Sequence, residues 1–162
     1  MVNDSDTRPW FFLQTAHTTY GIRVMETGHL EHLYYGERIT VDAQDSASCA
    51  PLVIQRAFAP GNTCTYDREH PQISMEDICL EVGTLGKGDI REPFLEVRFT
   101  DGSVTSDFTF DSYKVITLKE REQCLQTSGL PHSYSEAETD SAECLQIVLQ
   151  DVTNHLELQL FY

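Results

Sequence analysis

The chain has 162 residues, with 11 Lys plus Arg against 26 Asp plus Glu, a formal net charge of −15 and a pI near 4.5. That length suits one domain with a sizeable core, and a field so acidic repels phosphate backbones and anionic lipid head groups, which excludes nucleic acid and membrane surfaces as expected partners. The start, MVNDSDTRPWFF, has neither a basic nor an apolar signal region, and no apolar run reaches the ~18 residues of a membrane helix.

Period-two alternation recurs along almost the whole chain, whereas no 3.6-residue apolar stripe runs longer than two turns. The pattern predicts strands at Phe11–Thr15, Thr19–Met25 and His29–Tyr35, then a polar loop at Val41–Pro51. A second loop, Ala59–Ser74 (APGNTCTYDREHPQIS), is rich in Pro, Asn, Asp and Ser. Further strands follow at Ile78–Val82, Phe94–Thr100, Val104–Phe110, Tyr113–Thr117, Glu143–Asp151 and Leu156–Tyr162. Asp101-Gly102 is the clearest hairpin turn, and Asn154 marks another. Many short strands with closely spaced turns predict an all-β, antiparallel β-sandwich. The last segment, LELQLFY, alternates Leu156, Leu158 and Leu160 with Glu157 and Gln159 and then stops at two aromatics. An apolar edge strand without a successor predicts that the sandwich is truncated at its C-terminus.

Cys49, Cys64, Cys79, Cys124 and Cys144 are odd in number and widely spaced, with no C-x-x-C. This usage fits free thiols in a reducing cytoplasm rather than a disulfide framework.

Few patterns point to chemistry. GTLGKGDIREP places Gly83, Gly86 and Gly88 around Lys87, but a phosphate loop needs Ser or Thr after the Lys and then a helix N-terminus. Here Gly88 follows Lys87 and a strand-like run begins at Phe94, so the glycines read as corners between strands. His29 and His32 would chelate a metal from one face of a helix but point apart on a strand, and Asp42 and Asp45 do not complete a calcium loop. No metal or other cofactor is therefore expected. No G-x-S-x-G elbow is present, and 26 carboxylates are too many for any pair to stand out as a glycosidase dyad. Trp10, Phe11, Phe12, Tyr34, Tyr35, Phe108 and Phe110 could stack on a sugar, but aromatics at strand spacing more often belong to the core, and that is the reading favoured for them. The residues alone reach a soluble acidic β-sandwich and no further.

Six segments taken in order carry more: FFLQTAHTTYGIRV, TGHLEHLYYGERI, QRAFAP, GKGDIREPFLEVRFTDGS, SGLPHSYSEAE and ECLQIVLQDVTNHLELQLFY. Together they resemble the N-terminal domain of glycoside hydrolase family 36 α-galactosidases across nearly the whole chain. The resemblance implies that residues 1–162 form a β-supersandwich domain, with a catalytic (β/α)8 barrel and a C-terminal β domain outside this chain. It also implies a retaining hydrolase of terminal α-galactosides such as melibiose and raffinose, whose two catalytic Asp residues lie on the barrel, so this chain by itself is expected to be inactive and to hold no catalytic residue. The partners implied are α-galactoside sugars, the chain's own barrel and the other subunits of a homotetramer. In such tetramers a loop of this domain reaches a neighbouring active site, which makes Arg68, Tyr66 and Gln55 the candidate substrate-binding residues. Arg68 offers a planar five-donor fork and Tyr66 a stacking face, while the plainer reading pairs Arg68 with Asp67 or Glu69 on an exposed loop. The chain departs from the family's words at Gln55, where an acidic residue is frequent, at Val82 and at Cys144. A stand-alone carbohydrate-binding module is the alternative function.

Overall fold

The computed structural model describes residues 8–43, 45–53, 65–89, 91–128 and 143–162. Strand β1 (Trp10–Gln14), β2 (Thr18–Val24) and β3 (Leu30–Glu37) form one antiparallel sheet in the order β1-β2-β3. The β1–β2 turn closes because Thr15 Oγ1 accepts hydrogen bonds from the amides of His17 and Thr18, at 3.2 and 3.0 Å, in place of ladder partners. At the β2–β3 turn Gly28 takes φ +83°, a conformation that side chains resist, and its carbonyl accepts from Phe110 N at 2.8 Å. That bond ties the first sheet to the start of the second.

The short helix α1 (Ser46–Cys49) lies within the predicted Val41–Pro51 loop, and a 3-10 turn at Ala50–Leu52 runs one residue past its end. Two-residue strands β4 (Thr84–Leu85) and β5 (Gly88–Asp89) bracket the glycine corner, and β6 (Thr109–Thr117) runs directly into helix α2 (Leu118–Ser128). Strands β7 (Glu143–Asp151) and β8 (Leu156–Phe161) complete a second antiparallel sheet in the order β6-β7-β8.

The two three-stranded sheets enclose one main core. Phe11, Ile22, Val24 and Leu30 from the first meet Leu145, Ile147 and Leu149 from the second, with Val82 and Phe108 between. Each such apolar side chain contributes about 1.5–3 kcal/mol on full burial. Leu156, Leu158 and Leu160 of β8 turn toward this core while Glu157 and Gln159 face outward, as their alternation predicts. On the other face of β7, Cys144 is buried with Ile116 and with Leu118 of α2.

The all-β sandwich expected from the sequence is thus the observed architecture, with local differences. Ile78–Val82 is not a strand; it runs beside β3 through an isolated bridge between Leu80 and Glu31 and hydrogen bonds from His32 N to Cys79 O and from Glu81 N to Leu30 O. Phe94–Thr100 keeps its alternation, with Leu95, Val97 and Phe99 half-buried, but only Leu95 finds a bridge, to Thr84. Of Val104–Phe110 only the last two residues enter β6. The Asp101-Gly102 turn forms, with Gly102 at φ +88° and Phe99 N bonded to Ser103 O at 2.9 Å, but no ladder extends from it among the described residues. Alternation specifies a pleated face; a strand also needs a neighbouring backbone.

Helix α2 is the larger correction. Its 11 residues lack an apolar stripe, yet Thr117 and Glu120 form a capping box: Thr117 N and Oγ1 donate to Glu120 Oε2 at 2.8 and 2.9 Å, and Glu120 N donates to Thr117 Oγ1 at 3.3 Å.

Candidate functional site

One cluster of polar groups gathers around Asp107. Its amide donates to Asp151 Oδ2 at 3.0 Å, and Asp151, 1% exposed, is held by Asn154 N and Nδ2 at the β7–β8 turn. Asp107 Oδ1 lies 2.7 Å from His29 Nε2, and Oδ2 lies 3.2 Å from both Lys87 Nζ and Tyr66 Oη. Lys87 Nζ also sits 4.7 Å from the centroid of the Tyr66 ring, whose edge meets His29 at 5.0 Å. Burial alone would raise the Asp107 carboxyl, but the hydrogen bond and charge of His29 together with the Lys87 ammonium outweigh it and hold the group at about 2. The Tyr66 hydroxyl moves the other way, up to about 12, through burial first and then the charge and hydrogen bond of Asp107. It therefore stays a donor across the physiological range.

Lys87 reaches this cluster because Gly86 and Gly88 take φ +78° and +100°, folding the chain back so that Thr84 N bonds to Lys87 O. The glycine cluster is a corner, as its residues suggest, and it presents Lys87 to a carboxylate of the protein. No helix starts there.

His29 Nδ1 also lies 2.9 Å from Thr27 Oγ1, so Thr27, His29 and Asp107 form a hydroxyl–imidazole–carboxylate chain. Thr27 is 9% and His29 4% exposed, which closes the hydroxyl to a substrate and makes the chain a strut. His32, three residues on, points elsewhere: its ring lies 5.0 Å from that of Tyr20 and its Nδ1 3.9 Å from Glu81. The two imidazoles do separate jobs, and among the described residues no group of three or more His, Cys, Asp or Glu side chains could hold a metal ion.

The loop at 65–74 is closed on itself. Tyr66 N donates to Ile73 O at 2.8 Å and Ile73 N to His70 O at 3.0 Å. Asp67 Oδ1 accepts from the amides of Glu69 and His70, at 2.8 and 2.7 Å, and from His70 Nδ1 at 2.9 Å. Loss of hydration works against the ionised Asp67, but the His70 ring and these amides hold its carboxyl below the ordinary value. Below the loop, the Tyr66 ring packs with Met25, Ile73 and Met75.

Among the sequence-predicted site residues, Arg68 is exposed on this loop and has neither hydrogen bond nor ion pair within the described residues. The carboxylate of Asp67 is taken by His70, so the plain pairing of Arg68 with Asp67 is not formed. Tyr66 is half-buried, and its ring and hydroxyl are engaged by Lys87, His29 and Asp107. Gln55 lies outside the described residues. Sequence reasoning missed Asp107, one of 26 acidic residues with nothing local to single it out; the signal for Lys87 was its position between two glycines.

Comparison with known proteins agrees with this architecture. Residues 28–162 match the glycosyl hydrolase family 36 N-terminal domain. The bifunctional α-galactosidase/sucrose kinase AgaSK of Mediterraneibacter gnavus is 34% identical over 94% of this chain, which covers 15% of that protein. The α-galactosidase AgaA of Geobacillus stearothermophilus is 30% identical over 94% of this chain and 19% of its own length. Among solved structures, the α-galactosidase from Lactobacillus brevis superposes with a TM-score of 0.75 and 27% identity over all of this chain and 20% of that one. The chain thus spans between 15% and 20% of the length of these relatives. With a sandwich of the same shape and a family match that runs through every strand from β3 to β8, this chain belongs to the glycoside hydrolase family 36 N-terminal domains.

Proposed function

We propose that this chain is the non-catalytic N-terminal β-supersandwich domain of an α-galactosidase that removes terminal α-galactose from melibiose and raffinose-type sugars. The single observation that carries the reading is the family match over residues 28–162 together with relatives that are α-galactosidases several times longer. The chemistry of such an enzyme, retaining hydrolysis through a covalent galactosyl intermediate, needs two carboxylates about 5 Å apart across the scissile bond. In this reading that pair, on a (β/α)8 barrel, lies outside the chain. The domain's own part is to join subunits, in a homotetramer, and to offer the loop carrying Arg68 to a neighbouring subunit's pocket, with Tyr66 at its base and Gln55 beside it. Support for that part is the exposure of Arg68 and the absence of a partner for its guanidinium within the described residues. Cys49, Cys79 and Cys144 are free thiols, which fits a cytoplasmic enzyme. No helix of the described residues is long and apolar enough to cross a membrane.

The test is hydrolysis of p-nitrophenyl α-galactoside and of raffinose by the full-length protein and by residues 1–162 alone. The full-length protein should release galactose from both, first as the α-anomer, and the 162-residue chain from neither. A full-length protein inert toward α-galactosides, or turnover proportional to the amount of the 162-residue chain, would sink the proposal.

A further inference from the structure

We infer that Asp107 is a positioning residue for the loop at 65–74: through Tyr66 it fixes the base from which Arg68 projects. The inference rests on the role just proposed for Arg68, and its physical case is separate. A long side chain on a surface loop gives up rotamer and backbone freedom when it binds, so it contributes affinity only where the loop beneath it is already ordered. Here the loop is ordered internally by the Asp67 turn and the Tyr66–Ile73 bond. Those contacts hold its shape but do not fasten it to the sandwich.

Fastening falls to Ile73, buried against Met25 and Met75, to Tyr66, whose ring packs on the same cluster and whose hydroxyl donates to Asp107 Oδ2, and to an exposed bond from Gln72 Nε2 to Glu26 Oε1 at 2.8 Å. Asp107 suits this task because its other contacts all reach rigid elements. Its amide is bonded to the buried Asp151 at the end of β7, Oδ1 meets His29 at the entry to β3, and Oδ2 is shared with Lys87 from the glycine corner. Lys87 completes the clasp by lying over the Tyr66 ring, so one ammonium engages both the carboxylate and the aromatic it holds. Tyr66 and Arg68 stand only two positions apart in TYDREHP, so movement at the first is carried directly to the second.

The experiment uses the full-length protein and the variants Tyr66→Phe, Asp107→Ala and Arg68→Ala, with amide hydrogen exchange across residues 65–74 and the KM and kcat for raffinose measured on each. Tyr66→Phe keeps the ring and its packing and removes only the hydroxyl, so it reports on the clasp even if Asp107→Ala does not fold. Exchange at residues 66–73 should become about five- to tenfold faster in Tyr66→Phe, the effect of one lost hydrogen bond on local opening, and KM should rise with kcat little changed. Arg68→Ala should reproduce the rise in KM without changing exchange. Wild-type exchange in Tyr66→Phe and Asp107→Ala would overturn the inference whatever the kinetics. Faster exchange in Tyr66→Phe with an unchanged KM, while Arg68→Ala raises KM, would overturn it too, because Arg68 would then act without the clasp. Faster exchange with no effect of Arg68→Ala on KM would support the clasp and remove the substrate role proposed for the loop.

Discussion

Tyr162 Oη donates a 2.7 Å hydrogen bond to Oε1 of Glu81, a residue 81 positions away that also receives the Tyr20 hydroxyl at 2.6 and 2.7 Å. Tyr20 lies on β2 of the first sheet and Tyr162 follows β8 of the second, so one carboxylate, 13% exposed, clamps the two layers together. Both hydroxyls are pushed above the ordinary tyrosine value, by burial first and then by the hydrogen bond and charge of Glu81, and so remain donors. Glu81→Ala leaves two desolvated hydroxyls without their acceptor and should cost about 1–3 kcal/mol, whereas Tyr162→Phe should cost about 0.5–1.5 kcal/mol. Urea midpoints for the two single variants and the double should be non-additive, since the second change removes a partner already lost. Strict additivity would mean that the clamp contributes nothing.

How far these features could be read in advance depends on whether their cause is local. The β1–β2–β3 and β7–β8 meanders are legible because their alternation is local; Asn154 marks the last reversal in the sequence, and the structure adds Thr15 and Gly28 at the first two. Phe94–Thr100 misled because a ladder depends on a neighbour that the alternating pattern does not encode. Helix α2 has no apolar periodicity to announce it, and its only local signature is the Thr117-x-x-Glu120 capping box. At the candidate site Arg68 and Tyr66 came from family resemblance. Asp107, which gathers groups from four separate segments, has no local signature at all.

The glycine corner gives a comparative prediction. Gly86 and Gly88 both take positive φ, but a Cβ at Gly86 would meet open space while one at Gly88 would collide with Leu80 Cδ1. Gly86→Ala should therefore cost about 1 kcal/mol from backbone strain alone. Gly88→Ala adds a clash with the tip of the partly buried Leu80 side chain, which must turn aside, and should cost on the order of 1 kcal/mol more. In thermal melts the Gly88 variant should unfold at clearly the lower temperature, and equal melting temperatures would remove Leu80 from the account.

Cysteine reactivity should divide by burial. Cys49 and Cys144 are 0% and 1% exposed, and burial, the main influence on each, pushes both thiols up, whereas Cys79 is exposed. The thiolate is the reactive form, so the buried pair combines low access with little thiolate. Under native conditions iodoacetamide should label Cys79 well before Cys49 or Cys144, which should react only in denaturant. Peptide mapping that found all three labelled at one rate would contradict the packing described for Cys49 and Cys144.

The Asp107 cluster should be visible in the acid limb of stability. A carboxyl held at about 2 in the folded chain compares with an unfolded value near 3.9. Between those values the unfolded state binds more protons, so the contribution is complete above the unfolded value and is lost as pH falls through about 2. With the side chain 28% exposed, solvent screening reduces it to about 1–2 kcal/mol at neutral pH. The groups facing Asp107 are His29 at the entry to β3, Lys87 from the corner and Tyr66 from the loop, and Asp151 accepts its amide. Asp151 is itself lowered, because the hydrogen bonds from Asn154 and the neighbouring amides outweigh its burial, and it adds an acid limb of its own. The informative quantity is therefore the stability difference between the wild-type chain and Asp107→Asn, in which the Asp151 contribution cancels. Asparagine keeps the shape and one acceptor but neither the charge nor the second acceptor. The difference should shrink as pH falls from about 5 toward 2 and the wild-type carboxylate takes up its proton. A difference that holds its full value down to pH 2 would show that the carboxylate charge does not stabilise this fold, and that Lys87 and His29 are held in place by packing instead.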